Sequence, residues 1–444
     1  MFVPDMKQQR IFLSFFILIL STEMLFSRPS GELVIPTEDS RAPSVVIAVG
    51  DVHGDFDGFC TILKRTGLID EQHRWTGSKS VLVQTGDLID RGSRSREVME
   101  LLISLEKMAK IAGGRVIPLL GNHEIMNLVG DLRYVSSEDY AHYADATSEQ
   151  RRKAGYHDYA IWRASHEDML RALQQPVFPA SEEEWMAKHP SGFLEHHEAF
   201  GADGEYGIWL RNHAAIAKIN DTVFVHGGID PALMAMKLDE INARVHQEIA
   251  EFDAAKQYLI SQKIVLPFFT FQEIIAAVQA ADRVSERRQD VDWQAKSAII
   301  LGFNNSLSMG QDGPLWYRGY DHWTEEEGLP QVERILAAYN AKHIIVGHTV
   351  QQTARIRSRF AGRVFLIDTG MLAVYWRGGR PSALEIRDAI KFTAMYPTSE
   401  ELLFEEELRA PTPAESNPFF SRPQAARIPH RPSGRLAPTR IRAA

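Results

Sequence analysis

Five short segments of the chain combine glycine with side chains that can bind a metal ion. In chain order they are Gly50-Asp51-Val52-His53-Gly54, Gly86-Asp87-Leu88-Ile89-Asp90-Arg91-Gly92, Gly121-Asn122-His123-Glu124, His226-Gly227-Gly228 and Gly347-His348-Thr349. Carboxylate, imidazole and amide groups together suit Mn²⁺, Fe or Zn²⁺. Because Cys60 is the only cysteine in the sequence, an intramolecular disulfide and a metal site built from thiolates are excluded. A metal in this protein must therefore be held by nitrogen and oxygen.

The composition argues against one class of function. The 444 residues include 49 Lys and Arg against 58 Asp and Glu, which gives a net charge of −9. A general nucleic-acid-binding protein needs a basic face to replace the counterions on phosphates, so no nucleic-acid partner is expected. A phosphate-containing substrate is still compatible with this charge, because a local site can be positive inside an acidic protein.

A short apolar run leads into each of the five segments, and each run predicts a buried β-strand. These runs cover residues 44–50, 80–86, 115–121, 222–225 and 342–347. In open α/β sheets, ligands bind at the carboxyl ends of the strands, and glycine there lets the backbone turn sharply beside a ligand. Five strands that deliver Asp, Asp, Asn, His and His to such an edge predict a functional site.

The stretches between these strands predict helices. Apolar residues at helical spacing in 56–63 and 98–108 give the order β-α-β-α-β over residues 44–121. Cys60 lies on the first apolar face, which indicates a core residue rather than a nucleophile. Two later stretches, at about 131–211 and 231–298, read as helical insertions, the first of them a candidate lid.

The amino-terminal segment, residues 1–27, predicts a secretory signal. Lys7 and Arg10 precede the apolar run 11–20, which is too short to span a bilayer comfortably. Cleavage near Ser27 would release an exported protein, periplasmic or secreted. The alternative is an uncleaved membrane anchor.

The carboxyl-terminal segment, residues 409–444, is rich in proline and arginine, which predicts a disordered tail. A basic tail can contact a membrane or acidic partners, and the alternative is a solvated tail without a binding role. Between the two ends, we predict one catalytic domain over residues 44–395, which carries the helical insertions.

The five segments, in this order, resemble the metallophosphoesterase superfamily, the calcineurin-like phosphoesterases. Asp-Arg-Gly in the second segment and Asn-His-Glu in the third are similar to its phosphoprotein phosphatase branch. Residues 121–134, 225–228 and 313–318 look most like the bacterial Shewanella-like protein phosphatases, and the resemblance covers roughly residues 45–386. It implies an α/β fold in which a two-sheet β-sandwich is flanked by helices.

The resemblance also implies two divalent metal ions, with Mn²⁺ favoured. It makes Asp87 the bridging ligand, with Asp51 and His53 on one metal. The ligands that it assigns to the other metal are Asn122, His226 and His348. Many family members carry a further histidine where this chain has Val350, but the phosphoprotein branch lacks it too.

The same resemblance implies direct attack on phosphorus by a hydroxide bound to both metals. His123 would protonate the leaving group, and Asp90 would orient its imidazole. Arg91 and Arg318 would bind phosphate oxygens, although Arg318 follows Trp316-Tyr317 and could instead stack structurally.

Two further acids have less definite expectations. Glu124 is either a support for the neighbouring residues or without a role in the site. Asp368 repeats the strand-end pattern, but the resemblance gives it no ligand role, so it is expected to be structural.

The leading hypothesis is a phosphatase acting on phosphoprotein, with phosphoserine, phosphothreonine and phosphotyrosine all open. One alternative is hydrolysis of diadenosine polyphosphates or other small phosphoesters. Asp90 and Glu124 argue against it, because the symmetrical diadenosine tetraphosphatases typically lack the first and carry Asp at the second. The other alternative is a non-catalytic phosphopeptide-binding protein, against which the complete set of ligands and His123 argues.

Overall fold

The structure is a computed structural model that describes residues 43–173, 177–284 and 290–406. Within these residues the strands are β1 (Val45–Val49), β2 (Val81–Gln84), β3 (Arg115–Pro118), β4 (Ile216–Ile219), β5 (Thr222–Val225), β6 (His343–Val346), β7 (Arg357–Arg359), β8 (Val364–Leu366), β9 (Ala383–Arg387), β10 (Lys391–Tyr396) and β11 (Ser399–Glu405). They include the five strands that the apolar runs predicted.

The strands form two mixed sheets. The first has the order β11-β10-β9-β1-β2-β3, in which β1, β2 and β3 are parallel and β9 runs antiparallel to β1. The second has the order β4-β5-β6-β8-β7, in which β5, β6 and β8 are parallel. Antiparallel β4 and β7 form the edges of the second sheet.

The sheets pack face to face over an apolar core, and β1 shows why its sequence is continuously apolar. Val46 and Ala48 point into the layer between the sheets, where they share a cluster with Phe224 of β5. Ile47 and Val49 point the other way, into a second cluster that includes helix residues. Successive side chains of a strand face opposite sides, so a strand covered on both faces carries no polar alternation.

Helices flank the sandwich. They are α1 (Phe56–Arg65), α2 (Ser95–Ala112), α3 (Asn122–Val129), α4 (Ser137–Ala141), α5 (Ser148–Ser165), α6 (Glu167–Arg171), α7 (Glu182–Lys188), α8 (Phe193–Phe200), α9 (Glu205–Arg211), α10 (Leu238–Ser261), α11 (Phe271–Val284), α12 (Val291–Gly302), α13 (Gly319–His322) and α14 (Glu325–Ala338). Short 3₁₀ helices cover Pro231–Ala235 and Phe303–Asn305. This arrangement confirms the predicted fold class.

The two helices that the early periodicity predicted are present. α1 buries Cys60, and burial raises the pKa of its thiol to about 11, so this side chain belongs to the core. α2 ends at Gly113, which has a φ of 80° and so terminates the helix in the left-handed conformation that glycine tolerates best.

Residues 1–27 and 409–444 lie outside the described residues, so the export segment, the anchor and the disordered tail stay predictions. The boundaries 44–395 of the catalytic domain likewise stay a prediction. Among the residues that the structure does describe, no helix is both long enough and apolar enough to cross a membrane.

Candidate active site

The carboxyl ends of strands from both sheets converge on one buried cluster. Asp51, Asp87 and Asn122 follow β1, β2 and β3, while His226 and His348 follow β5 and β6. All five side chains are buried. The backbone N–H of His348 donates to Oδ1 of Asp51 at 2.9 Å, across 297 positions of sequence. The five strand ends therefore meet, as their shared pattern predicted.

Asp87 lies at the centre of this cluster. Its Oδ1 is 3.3 Å from Nε2 of His226 and accepts the backbone N–H of His123 at 3.1 Å. Its Oδ2 is 3.7 Å from Nε2 of His53 and 3.8 Å from Nε2 of His123. One carboxylate thus faces imidazoles supplied by both sheets, which is the position that a bridging ligand needs.

Two sets of potential metal-binding atoms share Asp87. Those of Asp87, His226 and His348 lie within 4.8 Å of one another, and so do those of His53, Asp87 and His123. Nε2 of His226 is also 2.9 Å from the amide oxygen of Asn122. The first set matches the ligands that the resemblance implied for the second metal.

The other set differs from the expectation in one member. It contains His123, for which the resemblance implied proton donation, and does not contain Asp51. Oδ2 of Asp51 is nevertheless only 3.9 Å from Nε2 of His53. The structure therefore brings all the expected residues together, with both Asp51 and His123 beside His53.

The histidine tautomers suit metal binding. Nδ1 of His226 is 2.9 Å from the carbonyl oxygen of Thr85, and Nδ1 of His53 is 3.0 Å from that of Ile89. Because a carbonyl oxygen only accepts, each Nδ1 carries a hydrogen, which leaves Nε2, on the side of Asp87, as the nitrogen that can bind a cation. Neutral imidazole, carboxylate and amide oxygen in this arrangement fit divalent cations.

The charges of the cluster favour cations as well. Burial would raise the pKa of Asp87, but the neighbouring imidazoles of His226, His123 and His53 hold it well below its ordinary value. Conversely, burial would lower the pKa of His226, but Asp87 and Asp51 raise it to about 9. Protons on imidazole thus balance buried carboxylates, and divalent cations can take their place.

Asp368, which was expected to be structural, lies beside Asp51 in the buried cluster. It follows β8, and Oδ1 accepts the backbone N–H of Gly370 at 2.9 Å. Burial raises the pKa of Asp51, and the charge of Asp368 beside it raises that pKa further. The strand-end pattern Ile367-Asp368-Thr369-Gly370, which was recognised in the sequence, agrees with this position.

A hydrogen bond to Asp90 orients His123. Nδ1 of His123 is 2.6 Å from Oδ2 of Asp90, and both side chains are buried. Asn127 lies one helical turn beyond His123 and donates to Oδ1 of Asp90 and to the carbonyl of His123. Burial would lower the pKa of His123, but Asp87 and Asp90 outweigh it and raise the pKa. Sequence reasoning did not single out Asn127.

Arg91 lies between His53 and two tyrosines. Its Nη1 is 2.6 Å from Nε2 of His53. Its Cζ is 4.0 Å from the ring centre of Tyr375 and 5.5 Å from that of Tyr134. The backbone N–H of Arg91 donates to the carbonyl of Tyr134 at 2.8 Å. No role at Arg91 was predicted from the sequence for either tyrosine.

Arg318 also reaches the site. Its Nη1 donates to the carbonyl of His348 at 3.2 Å and to Oγ1 of Thr349 at 3.1 Å. The guanidinium therefore lies directly beside a candidate ligand, where it can meet a phosphate, and substrate binding by Arg318 stays a prediction.

Glu124 supports the strand ends. Its Oε2 accepts the backbone N–H groups of Asp87 at 2.8 Å and Gly121 at 2.7 Å, and its Oε1 accepts that of Leu88 at 2.8 Å. Burial and the charge of Asp87 raise the pKa of Glu124 to about 7. Three backbone donors on one carboxylate fix the ends of β2 and β3, which is the supporting role considered from the sequence.

The backbone of the site is strained. Five of its non-glycine residues adopt left-handed φ values between 49° and 70°: His53, Asp87, Asp90, Arg91 and His348. Such residues are uncommon and persist where the surrounding structure holds them. Close packing requires glycine as well, because a Cβ on Gly347 would lie 2.4 Å from Oδ1 of Asp51.

The family model for calcineurin-like phosphoesterases matches residues 44–352. The chain belongs to this family. It is 26% identical over 339 residues to Shewanella-like protein phosphatase 1 of Plasmodium berghei, which covers 76% of this chain and 69% of that protein. It is 30% identical over 240 residues to Shewanella-like protein phosphatase 2 of Arabidopsis thaliana, over 51% of this chain and 57% of the relative.

Solved structures agree with this assignment. The cold-active protein-tyrosine phosphatase of a psychrophilic Shewanella is 28% identical, with a TM-score of 0.51 over 81% of this chain and 80% of its own. These matches confirm the resemblance to Shewanella-like phosphatases. This calcineurin-like phosphoesterase is a hydrolase, a phosphatase with groups of residues that can bind divalent metals.

Proposed function

We propose that this phosphatase hydrolyses phosphomonoesters in proteins, with phosphotyrosine preferred and with two divalent cations, Mn²⁺ favoured, as cofactors. The observation that carries this proposal is the position of Asp87. Its carboxylate belongs to both sets of potential metal-binding atoms, and it lies near His123, whose Nδ1 is hydrogen-bonded to Asp90. The Shewanella relative is named a protein-tyrosine phosphatase, and the two sequence relatives are named protein phosphatases. Those names support the choice of substrate class.

The residues around Asp87 would have separate roles in the reaction. When bound, two divalent cations supply Lewis acidity to the phosphoryl group and to the attacking water. Asp51, His53, Asp87, Asn122, His226 and His348 would hold them. His123 would donate a proton from Nε2 to the leaving oxygen, because its Nδ1 is engaged with Asp90. The carboxylate of Asp90 at Nδ1 stabilises the protonated imidazole that this role requires.

Arg91 would bind the phosphate from the side of His53. Its Nη1 donates to Nε2 of His53, which is the nitrogen that would bind a cation. With Nε2 of His53 engaged as a metal ligand, Nη1 of Arg91 would be free to donate to a phosphate oxygen. Arg318, beside His348, would supply a second guanidinium fork.

A substrate panel tests the proposal. Purified protein with Mn²⁺ would be assayed on one peptide phosphorylated on tyrosine, serine or threonine, and on p-nitrophenyl phosphate and diadenosine tetraphosphate. We expect the highest kcat/KM on the phosphotyrosine peptide. Asp87→Asn is the control, and we expect it to lose both bound metal and activity. Rapid cleavage of the tetraphosphate without phosphopeptide turnover would contradict the proposal.

We also propose that the protein is exported and periplasmic or secreted, on the support of the charged and apolar pattern in residues 1–27. An uncleaved segment 1–27, or the basic tail 409–444, would provide membrane contact. Cell fractionation of the full chain, compared with a variant lacking residues 2–27, tests this. Recovery of the full chain in the same cytosolic fraction as the truncated variant would contradict export.

A further inference from the structure

Two half-exposed tyrosines lie at Arg91, at the surface of an otherwise buried site. Tyr134 is 43% exposed and Tyr375 is 46% exposed, whereas Asp87, His53 and His123 are buried. Both rings approach the guanidinium of Arg91 closely enough for a cation–π contact. The rings therefore border the place where a phosphate would meet this arginine.

Each tyrosine also contacts one imidazole of the site. The ring centre of Tyr134 is 5.1 Å from that of His123, and the ring centre of Tyr375 is 5.9 Å from that of His53. A leaving oxygen protonated by His123 must lie next to this imidazole. The group attached to that oxygen would consequently lie within reach of Tyr134.

Tyr375 is held by a loop that closes on itself. The backbone N–H groups of Tyr375 and Trp376 both donate to the carbonyl of Leu372 at 3.0 Å. At the ends of the loop, a Cβ on Gly379 would lie only 1.8 Å from the carbonyl oxygen of Gly370. These contacts hold the backbone of Tyr375 at the site, where its half-exposed ring contacts Arg91 and His53.

Packing within the chain does not explain these exposed side chains. The neighbour of Tyr375, Val374, is 97% exposed, so the tip of the loop presents apolar surface to solvent beside the site. In addition, Nε of Arg91 is buried and has no hydrogen-bond acceptor among the described residues, so it is available to an anion.

We infer that Tyr134 and Tyr375 recognise the aromatic ring of an aryl phosphate and thereby select it over alkyl phosphates. With the phosphate on Arg91, the ring of a phosphotyrosine reaches the two tyrosines, whereas a phosphoserine offers only a methylene group there. Aromatic pairs prefer offset or edge-to-face contacts, which two separate rings at the rim can provide. The inference rests on the proposed function for the phosphate position and names residues that set its specificity.

Tyr134→Leu and Tyr375→Leu test the inference, with Tyr134→Phe and Tyr375→Phe as matched variants that keep the ring. The values of kcat/KM would be measured for phenyl phosphate against β-glycerophosphate, and for the phosphotyrosine against the phosphoserine form of one peptide. Comparing each variant with the wild type on the same substrate cancels differences in intrinsic reactivity. We expect the leucine variants to lose about three- to tenfold on aryl substrates and less than about twofold on alkyl substrates. The phenylalanine variants should stay close to the wild type.

Val374→Ser is the control, because this side chain is exposed on the same loop, and we expect little change on any substrate. Equal losses on aryl and alkyl substrates would overturn the inference, since the rings would then only position Arg91. An unchanged value on aryl substrates would overturn it as well. Selective loss on phenyl phosphate in an enzyme that cleaves no phosphopeptide would support the inference while contradicting the proposed protein substrate.

Discussion

At the scale of single residues, the hydrogen bond from His123 to Asp90 gives the most direct prediction. Because Nδ1 of His123 is engaged at 2.6 Å, its Nε2 is the atom left to donate a proton. His123→Ala should keep its metal and lower kcat by about 100- to 10,000-fold on alkyl phosphates, the usual range for a lost general acid. The loss should shrink on p-nitrophenyl phosphate, whose leaving group needs little protonation. A series of aryl phosphates of graded leaving-group pKa measures this dependence.

Metal analysis of the same variant separates two roles for His123. Its Nε2 also belongs to a set of potential ligands with His53 and Asp87. Loss of bound Mn²⁺ on His123→Ala would make it a ligand, and equal rate losses across the aryl series would argue against proton donation. Asn127→Ala serves as a milder companion, because it removes one donor to Asp90 while leaving the imidazole in place.

The sequence predicts some of the site residues and misses others for a physical reason. Asp51 and Asp87 each carry a local signal, a buried strand followed by glycine and a polar residue. Asp368 carries this signal as well, but its effect depends on Asp51, which is far away in sequence. The place of Tyr134 and Tyr375 at Arg91 is not visible in the sequence, because only the folded chain brings them there.

At the scale of elements, prediction succeeds where burial leaves a pattern. β1 and β6 lie inside their sheets, and their continuous apolar runs are visible in the sequence. β7 has three residues, and the edge strand β11 is largely exposed, so neither has such a run. The edge strands β7 and β11 were therefore not predicted from the sequence.

A contact between α2 and α4 involves a carboxylate whose protonation depends on pH. The N-cap residue of α2, Arg94, makes no capping bond through its side chain, and the backbone N–H of Ser95 donates instead to Oδ1 of Asp139 in α4. Ser95 Oγ in turn accepts the backbone N–H of Asp90 at 3.2 Å. A buried carboxylate of α4 thus fixes the start of α2 beside the partner of His123.

This contact predicts how stability depends on pH. Burial raises the pKa of Asp139 to about 7, although hydrogen bonds from Ser95 oppose the shift. The unfolded chain would bind this proton only below about pH 4. At this group the folded state therefore binds more protons between about pH 4 and pH 7, so the contribution of Asp139 to the free energy of unfolding falls as pH rises through that window.

Asp139→Asn keeps the acceptor oxygen but cannot ionise. We therefore expect it to become more stable relative to the wild type as pH rises from about 4 to about 7, by urea unfolding at several pH values. Glu138→Gln, an exposed residue of the same helix, is the control and should follow the wild type. Parallel pH profiles for Asp139→Asn and the wild type would contradict this account.

At the scale of the whole molecule, the site joins the two sheets. Asp51 and Asp87 come from the first sheet and His226 and His348 from the second, and their polar groups meet in a buried cluster. Three carboxylates of that cluster, from Asp51, Asp87 and Asp368, are close enough to perturb one another. Bound cations would offset this repulsion and connect both sheets at once, so metal should stabilise the whole fold.

Thermal unfolding with and without Mn²⁺ measures this link. A ligand at about 100 times its Kd stabilises the folded state by about 2.7 kcal/mol, which corresponds to a rise in Tm of about 3–4 °C for a domain of about 350 residues. Asp87→Asn removes the carboxylate common to both sets of ligands and should show a much smaller rise. Lys64→Gln, whose ion pair with Glu71 is on the surface, should keep the full rise. An equal Mn²⁺ effect in Asp87→Asn and the wild type would mean that the stabilising cations bind elsewhere.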